Sequence, residues 1–148
     1  MKKQLIPIIC IGGGFLLLFT VWWYKTYPPV TKVTINNHAW IVKVAITSEE
    51  KEIGLSRTTS LAPNTGMIFP FLTKELHQFW MKNMNFPLDF IWMDERTVVE
   101  VTPNVQPCST GTPCEPFRPT KPSTKVLEIP AGEAQKYDIK AGDVVIIK

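Results

Sequence analysis

The 148-residue chain is 45% hydrophobic and 20% charged, which provides enough apolar material for one folded domain and argues against wholesale disorder. Its formal charge of +3 equals the contribution of Lys2, Lys3 and Lys25, so residues 31–148 carry no formal net charge. A neutral body without a basic run displaces few counterions from a phosphate backbone, so we predict no nucleic-acid partner.

The N-terminal segment has the pattern of a membrane anchor. Residues 5–24 contain no charged side chain and would span about 30 Å as a helix, the thickness of a bilayer's hydrocarbon core. Two lysines precede this stretch, and Trp22, Trp23 and Tyr24 close it like an interfacial aromatic belt. We predict a single-pass cell-membrane protein with a cytoplasmic tip at 1–4, a transmembrane signal anchor at 5–24, a linker at 25–30 and an extracytoplasmic domain at 31–148.

Other interpretations of this segment stay open. A cleaved signal peptide would need small residues at the cleavage position, whereas residues 20–29 read Thr-Val-Trp-Trp-Tyr-Lys-Thr-Tyr-Pro-Pro. A buried core helix would be weakened by three consecutive glycines at 12–14. Cys10 follows Ile9 rather than a small residue, which argues against lipidation of this cysteine. The retained anchor is therefore favoured.

The rest of the chain is predicted to form mainly strands. Short runs rich in β-branched and apolar residues predict strands at 31–36, 39–46, 67–72, 76–82, 88–93, 97–102, 125–129 and 143–147. Asn36-Asn37 and 94–96 are typical of tight turns. Thr47 and Glu50 have the spacing of a capping box, which predicts a helix running to about Thr58. A second helical turn is predicted at 131–137.

The lengths of the connections decide the predicted fold class. They are too short for repeated parallel crossovers, so we predict an α+β, predominantly β domain. Its sheet would be small, largely antiparallel and barrel-like or sandwich-like, with one or two short helices. Residues 104–123 are rich in proline and lack apolar periodicity, which predicts a long exposed loop.

Two cysteines lie in this loop. Cys108 and Cys114 are close enough in sequence to pair in an oxidising compartment, and we predict a disulfide that stiffens the loop tip. The alternative, a structural zinc site, needs four ligands, and the chain adds only His38 and His77 to the cysteines. We predict no metal and no cofactor.

Four separated patches resemble a known family. In chain order they are Ile53-Gly54-Leu55-Ser56-Arg57, Gly66-Met67-Ile68-Phe69, Phe79-Trp80-Met81-Lys82-Asn83 with Pro87-Leu88-Asp89, and Val126-Leu127-Glu128-Ile129-Pro130-Ala131-Gly132 with Gly142-Asp143. This succession resembles the family catalogued as domain of unknown function 192, whose members are often exported or membrane-anchored. The resemblance implies a compact β-rich fold and supplies no agreed reaction.

The third patch contains the main candidates for a binding site. In an extended segment Trp80 and Lys82 share one face, and with Asn83 and Asp89 they would combine an indole, an ammonium, an amide and a carboxylate. Such a platform suits a small polar ligand such as a sugar. Glu128 is predicted as a fifth ligand-binding residue if it is a partly buried acid with a perturbed pKa; otherwise it faces solvent.

The alternative is a purely structural role, in which the aromatic residues of this patch belong to the core and Asp89 accepts backbone hydrogen bonds at a turn. A copper site built from His77, Met81 and Met84 is disfavoured, because residues 77 and 81 would lie about 13 Å apart on an extended strand.

Three classes of function stay open. The favoured one is binding of a small polar ligand or envelope component, with the cysteine loop as a rim. The second is a hydrolytic or transferase enzyme that uses Asp89 and Glu128 as an acid/base pair, although no Gly-x-Ser-x-Gly motif is present. The third is a structural partner of another envelope protein, through exposed apolar residues such as Phe117.

Overall fold

The computed structural model describes residues 29–108, 111 and 113–148. The predicted cytoplasmic tip, the predicted anchor and all but the end of the predicted linker lie outside these residues. Within the described part of the chain, no helix is long and apolar enough to cross a membrane.

The described residues form one curled sheet of seven strands with two short helices. In chain order the elements are β1 (Val30–Ile35), β2 (His38–Val44), α1 (Ser48–Ile53), β3 (Thr65–Glu75), β4 (Leu88–Asp94), β5 (Thr97–Val105), β6 (Ser123–Pro130), α2 (Glu133–Lys136) and β7 (Val145–Ile147). The strand order is β5-β4-β6-β3-β2-β1-β7, and every neighbouring pair is antiparallel except β2 and β3. The predicted predominantly β class is confirmed.

The curl brings the two edge strands together at one end of the sheet. The backbone N–H of Val98 in β5 donates to the carbonyl of Asp143 at 2.9 Å, and the N–H of Val145 in β7 donates to the carbonyl of Arg96 at 2.8 Å. These bonds pair backbone groups that an open edge would leave exposed. The sheet is therefore a half-barrel.

Local sequence signals explain several of the boundaries. Asn36 and Asn37 adopt positive φ values of 49° and 63°, as a two-residue hairpin turn requires, and join β1 to β2. The predicted capping box is present, since Thr47 Oγ1 accepts from the Glu50 N–H at 3.1 Å and Glu50 Oε2 accepts from the Thr47 N–H at 2.8 Å. Both predictions are confirmed.

Two predicted elements are wrong. Helix α1 ends at Ile53 rather than near Thr58, because Gly54 leaves the helical region with φ 50° and ψ −129°. The strand predicted at 76–82 is absent from the described elements, and Phe79 forms only an isolated backbone bridge with Phe117. Strands β3 and β4 are both already paired with β6, so this segment finds no free neighbouring edge.

The buried apolar residues divide into two clusters on opposite faces of the sheet. Along β4, Ile91 and Met93 contribute to the inner cluster, which lies inside the curl and receives residues from all seven strands and α2. Phe90 and Trp92 point the other way, into the outer cluster. The outer cluster covers β3, β4 and β6 with Leu55 after α1 and with apolar side chains of the segment between β3 and β4.

Candidate functional site

A cleft opens into the outer cluster between α1 and the segment that joins β3 to β4. This inner cleft has a volume of about 280 Å³. Its walls are mostly apolar and comprise Ile53, Leu55, Phe69, Phe71, Phe79, Trp80, Met81, Met84, Leu88 and Pro116. Apolar concavities with a few placed polar groups are the usual form of small-molecule sites.

An outer groove of about 330 Å³ continues from the same walls. It shares Trp80 and Lys82 with the inner cleft and adds Arg57 and Asn83. The two cavities therefore form one depression with an apolar interior and a charged mouth.

The alternation predicted for the third patch holds although the segment is not a strand. Phe79 and Met81 point inward, and Phe79 packs edge-on against Phe69 with 5.2 Å between ring centroids. Trp80 stays 48% exposed, and Lys82 is also exposed, so both line the depression. Asn83 is exposed with a φ of 58°, at the point where the chain turns away. The structure brings these three predicted residues together.

Glu128 lies in the wall of the inner cleft and is buried. Its β6 position faces Met67 of β3 and Phe90 of β4, which both belong to the outer cluster. Among the described residues its Oε2 atom has no hydrogen-bond partner. Burial raises the pKa of Glu128 from 4.5 to about 8, because the charged form loses its hydration. At neutral pH this side chain is therefore mainly a neutral acid that can donate or accept a hydrogen bond.

Gly66 fixes the position of the Glu128 backbone. A Cβ atom at Gly66 would overlap the carbonyl oxygen of Glu128 and would lie 3.3 Å from Cγ2 of Ile129. Only glycine therefore allows β3 and β6 to approach this closely behind the cleft.

Asp89 is the predicted site residue that the structure does not bring to the cleft. It is fully buried, its Oδ1 accepts from the Asn104 N–H at 2.7 Å and its Oδ2 accepts from the Ala134 N–H at 2.8 Å. Its neighbours Phe90 and Leu88 face the outer cluster, so Asp89 points to the opposite face from Glu128. The prediction that Asp89 shares one platform with Lys82 is therefore wrong, and so is the alternative acid/base pair with Glu128. Asp89 instead ties β5 and α2 to β4.

The cysteine loop borders the cleft. Cys108 and Cys114 form a disulfide with 5.4 Å between their Cα atoms, as predicted. The backbone N–H of Cys108 donates to the carbonyl of Met81 at 3.3 Å, and Pro116 lines the inner cleft. Phe117 is half-buried and packs edge-on against Phe90 with 4.9 Å between ring centroids. It is part of the outer cluster and does not offer the free apolar surface that was predicted for a protein partner.

The candidate copper ligands have other contacts. The Nε2 atom of His77 lies 3.2 Å and 3.1 Å from the carbonyl oxygens of Thr73 and Ser123, and since carbonyls only accept, this nitrogen is a donor. Met81 is buried in the outer cluster. Within residues 29–108, 111 and 113–148, no three His, Cys, Asp or Glu side chains are grouped so that they could hold a metal ion.

Sequence reasoning missed the wall that α1 contributes. Lys51 lines the inner cleft with its Nζ atom 4.6 Å above the ring of Phe71, and Glu52 lies beside it at the mouth. The four patches that carry the family resemblance could have indicated where the cleft lies. Each patch supplies residues to the inner cleft, for example Leu55, Phe69, Trp80 and Glu128.

Comparisons with known proteins agree with this architecture. Residues 31–147 match the model of a family described as DUF192, uncharacterized ACR. No curated protein matches the chain.

Two solved structures are similar to the fold. One is a protein of unknown function from Novosphingobium aromaticivorans, which is 33% identical with a TM-score of 0.72 over 79% of this chain and 84% of that chain. The other, from Sinorhizobium meliloti, is described as a candidate transcription regulator; it is 26% identical with a TM-score of 0.69 over 79% of this chain and 91% of that chain.

Proposed function

The chain belongs to the DUF192 family, and from that premise we propose that it is a membrane-tethered extracytoplasmic domain that binds a small polar ligand with an apolar face in the inner cleft. The ligand is a sugar-like or similar ring compound, free or as part of an envelope component. Trp80, Lys82 and Glu128 make its polar and stacking contacts in the inner cleft, and Asn83 adds a donor from the adjoining outer groove.

The single observation that carries this proposal is the unpartnered Oε2 atom of Glu128 in the cleft wall. A buried polar atom that has no hydrogen-bond partner lowers the stability of a protein by about 1–3 kcal/mol relative to a hydrogen-bonded one. A ligand hydroxyl or carbonyl group at the inner end of the cleft recovers that energy when the Glu128 carboxyl group turns toward it.

The exposed indole of Trp80 supports a ring-shaped ligand. Large aromatic side chains are usually buried, whereas Trp80 leaves 48% of its surface accessible at the mouth of an apolar cleft. Its flat face suits the apolar face of a sugar or another ring, and the adjacent Lys82 and Asn83 offer donors to the ring substituents.

Two observations support the proposed location. The N-terminal sequence has the length and flanking residues of a signal anchor. The Cys108–Cys114 disulfide is the kind of crosslink that persists in oxidising compartments outside the cytoplasm. The description of the Sinorhizobium meliloti protein is not transferred, because the formally neutral residues 31–148 argue against binding to a phosphate backbone.

Ligand binding is tested by thermal unfolding of the full-length protein in lipid nanodiscs, titrated with two neutral ring probes, methyl β-D-glucopyranoside and 2-(4-hydroxyphenyl)ethanol. We expect a saturable rise in the melting temperature with at least one probe. The rise is lost in Trp80→Ala, reduced in Glu128→Leu and retained in Leu72→Ala, a truncation of an apolar side chain that is fully exposed outside the cleft. A flat response to both probes contradicts the proposal.

The location is tested by fusing a reporter that folds only in an oxidising compartment behind Lys148. We expect activity in the intact cell and protection of the N-terminus from external protease. An inactive reporter at this position, together with activity of a second reporter that folds only in the cytoplasm, contradicts the proposed topology.

A further inference from the structure

We infer that the inner cleft selects anionic ring compounds that place an uncharged oxygen against Glu128 and a negative group at the mouth. This inference rests on the proposed function and specifies the class of ligand. Two separate features of the cleft carry it, one at each end.

At the buried end, Glu128 is surrounded by apolar side chains. The β3 and β4 residues of the cleft wall are Phe69, Phe71 and Leu88, and none of them carries a charge. The titratable groups that line the cleft with Glu128 are Lys51, Glu52 and Lys82. An ionised carboxylate is strongly disfavoured in such surroundings, whereas a neutral acid is stable and pairs with a hydroxyl or carbonyl oxygen.

At the mouth, positive charge predominates. Lys51, Lys82 and Arg57 line the two connected cavities, against the single acidic side chain of Glu52. Among the described residues, none of these four side chains forms an ion pair, since the observed pairs join Lys74 to Asp94 and Lys140 to Asp138. In this part of the chain Lys82 and Arg57 therefore have no ionic partner to give up, whereas Lys51 also contacts the ring of Phe71.

This local excess of cations contrasts with the rest of the body. Residues 31–148 are formally neutral as a whole, so the positive mouth is a property of this site and not of the general surface. Low-dielectric walls strengthen the field of charges placed at such an opening. An anionic substituent at the exposed end of a ring is attracted there, and an ammonium in the same place is repelled.

A set of probes with one shared ring tests the charge preference. 4-Hydroxyphenylacetate, 2-(4-hydroxyphenyl)ethanol and tyramine carry the same phenol and differ in the charge at the other end. Isothermal titration calorimetry on the full-length protein in nanodiscs measures the dissociation constant of each probe. The anion should bind most tightly, the alcohol next and the amine most weakly, with dissociation constants that differ about fivefold from one probe to the next. The spread should narrow at high salt, because the mouth is open to solvent.

Substitutions at the two ends of the cleft test which part of the ligand each end binds. Lys82→Gln should reduce the advantage of the anion over the alcohol, whereas Lys140→Gln, which removes an exposed lysine outside the cleft, should leave it unchanged. Phenylacetate lacks the phenol hydroxyl and should bind the native protein several-fold more weakly than 4-hydroxyphenylacetate. The difference in affinity between these two probes should vanish in Glu128→Leu, which places an apolar side chain of similar size at this position.

The outcomes separate this inference from the proposed function. If the alcohol binds as tightly as the anion, the cleft binds ring compounds but the charge class is wrong. If tyramine binds most tightly, Glu128 pairs as a carboxylate with a cation and the inference is overturned. If none of the three phenols binds, the phenol class and the inference both fail, and the glucoside probe decides the proposed function by itself.

Discussion

Replacing Glu128 by glutamine should remove most of the pH dependence of stability that this side chain causes. The pKa of Glu128 is about 8 in the folded protein, against 4.5 when the side chain is exposed to water. Between these values the unfolded chain has lost a proton that the folded chain keeps. Stability attributable to Glu128 is therefore complete below pH 4.5, falls as the pH rises, and is lost at about pH 8.

The size of the effect follows from the shift. Each unit of difference in pKa corresponds to about 1.4 kcal/mol, so the full loss is about 5 kcal/mol. Roughly 3 kcal/mol of it falls between pH 5 and pH 8, where the protein can be studied without extreme conditions. Glutamine has nearly the same shape and no proton to exchange, so the variant should lack this contribution at every pH.

Urea unfolding of the full-length protein in nanodiscs, followed by near-ultraviolet circular dichroism at several pH values, measures this difference. The quantity of interest is the change in unfolding free energy between pH 5 and pH 8 in the native protein minus that in Glu128→Gln. Glu52→Gln is the matched control, because it makes the same chemical change at an exposed side chain of the same cleft. A difference below about 1 kcal/mol would refute the assignment of Glu128 as a buried neutral acid.

Three further substitutions test other contacts by the same unfolding assay. Gly66→Ala should destabilise the protein by about 2 kcal/mol or more, because its Cβ would overlap the Glu128 carbonyl; a neutral effect would mean that β6 moves freely. Asp89→Asn should lower the free energy of unfolding by about 2–3 kcal/mol, because one of its two backbone partners loses an acceptor. The affinity of the cleft for the probes should stay unchanged, and loss of binding in a stable protein would contradict a structural role for Asp89. Cys108→Ser should cost about 2 kcal/mol by loop-closure entropy, and an unchanged midpoint would show that the crosslink does not contribute to stability.

The parts of the fold that could be predicted from the sequence are those fixed by short-range chemistry. Asn36 and Asn37 specify a hairpin because they tolerate positive φ, and Thr47 with Glu50 specifies the start of α1 through reciprocal hydrogen bonds. The segment 76–82 has the same alternation as a strand, yet pairing needs a partner with free backbone groups. That condition depends on the strand order, which places β6 between β3 and β4.

Only part of the candidate site could be predicted from the sequence, because the rest depends on how the elements pack. Trp80 and Lys82 follow from simple alternation, since one side of their segment faces solvent. Strand β4 has both faces buried, so its apolar run does not indicate which side chains point in which direction. Asp89 was therefore assigned to the wrong face. The contribution of Lys51 depends on where α1 packs, which no local pattern specifies.

Strand β6 lies between β3 and β4 and separates the cleft from the inner cluster. Glu128 faces the cleft, while Leu127 and Ile129 anchor the same stretch of backbone in the inner cluster. Packed interiors resist displacement, so a molecule entering the cleft meets a rigid surface and not a yielding one. Side chains on the cleft side can consequently be exchanged, and a different molecule accepted, without rebuilding the core behind them.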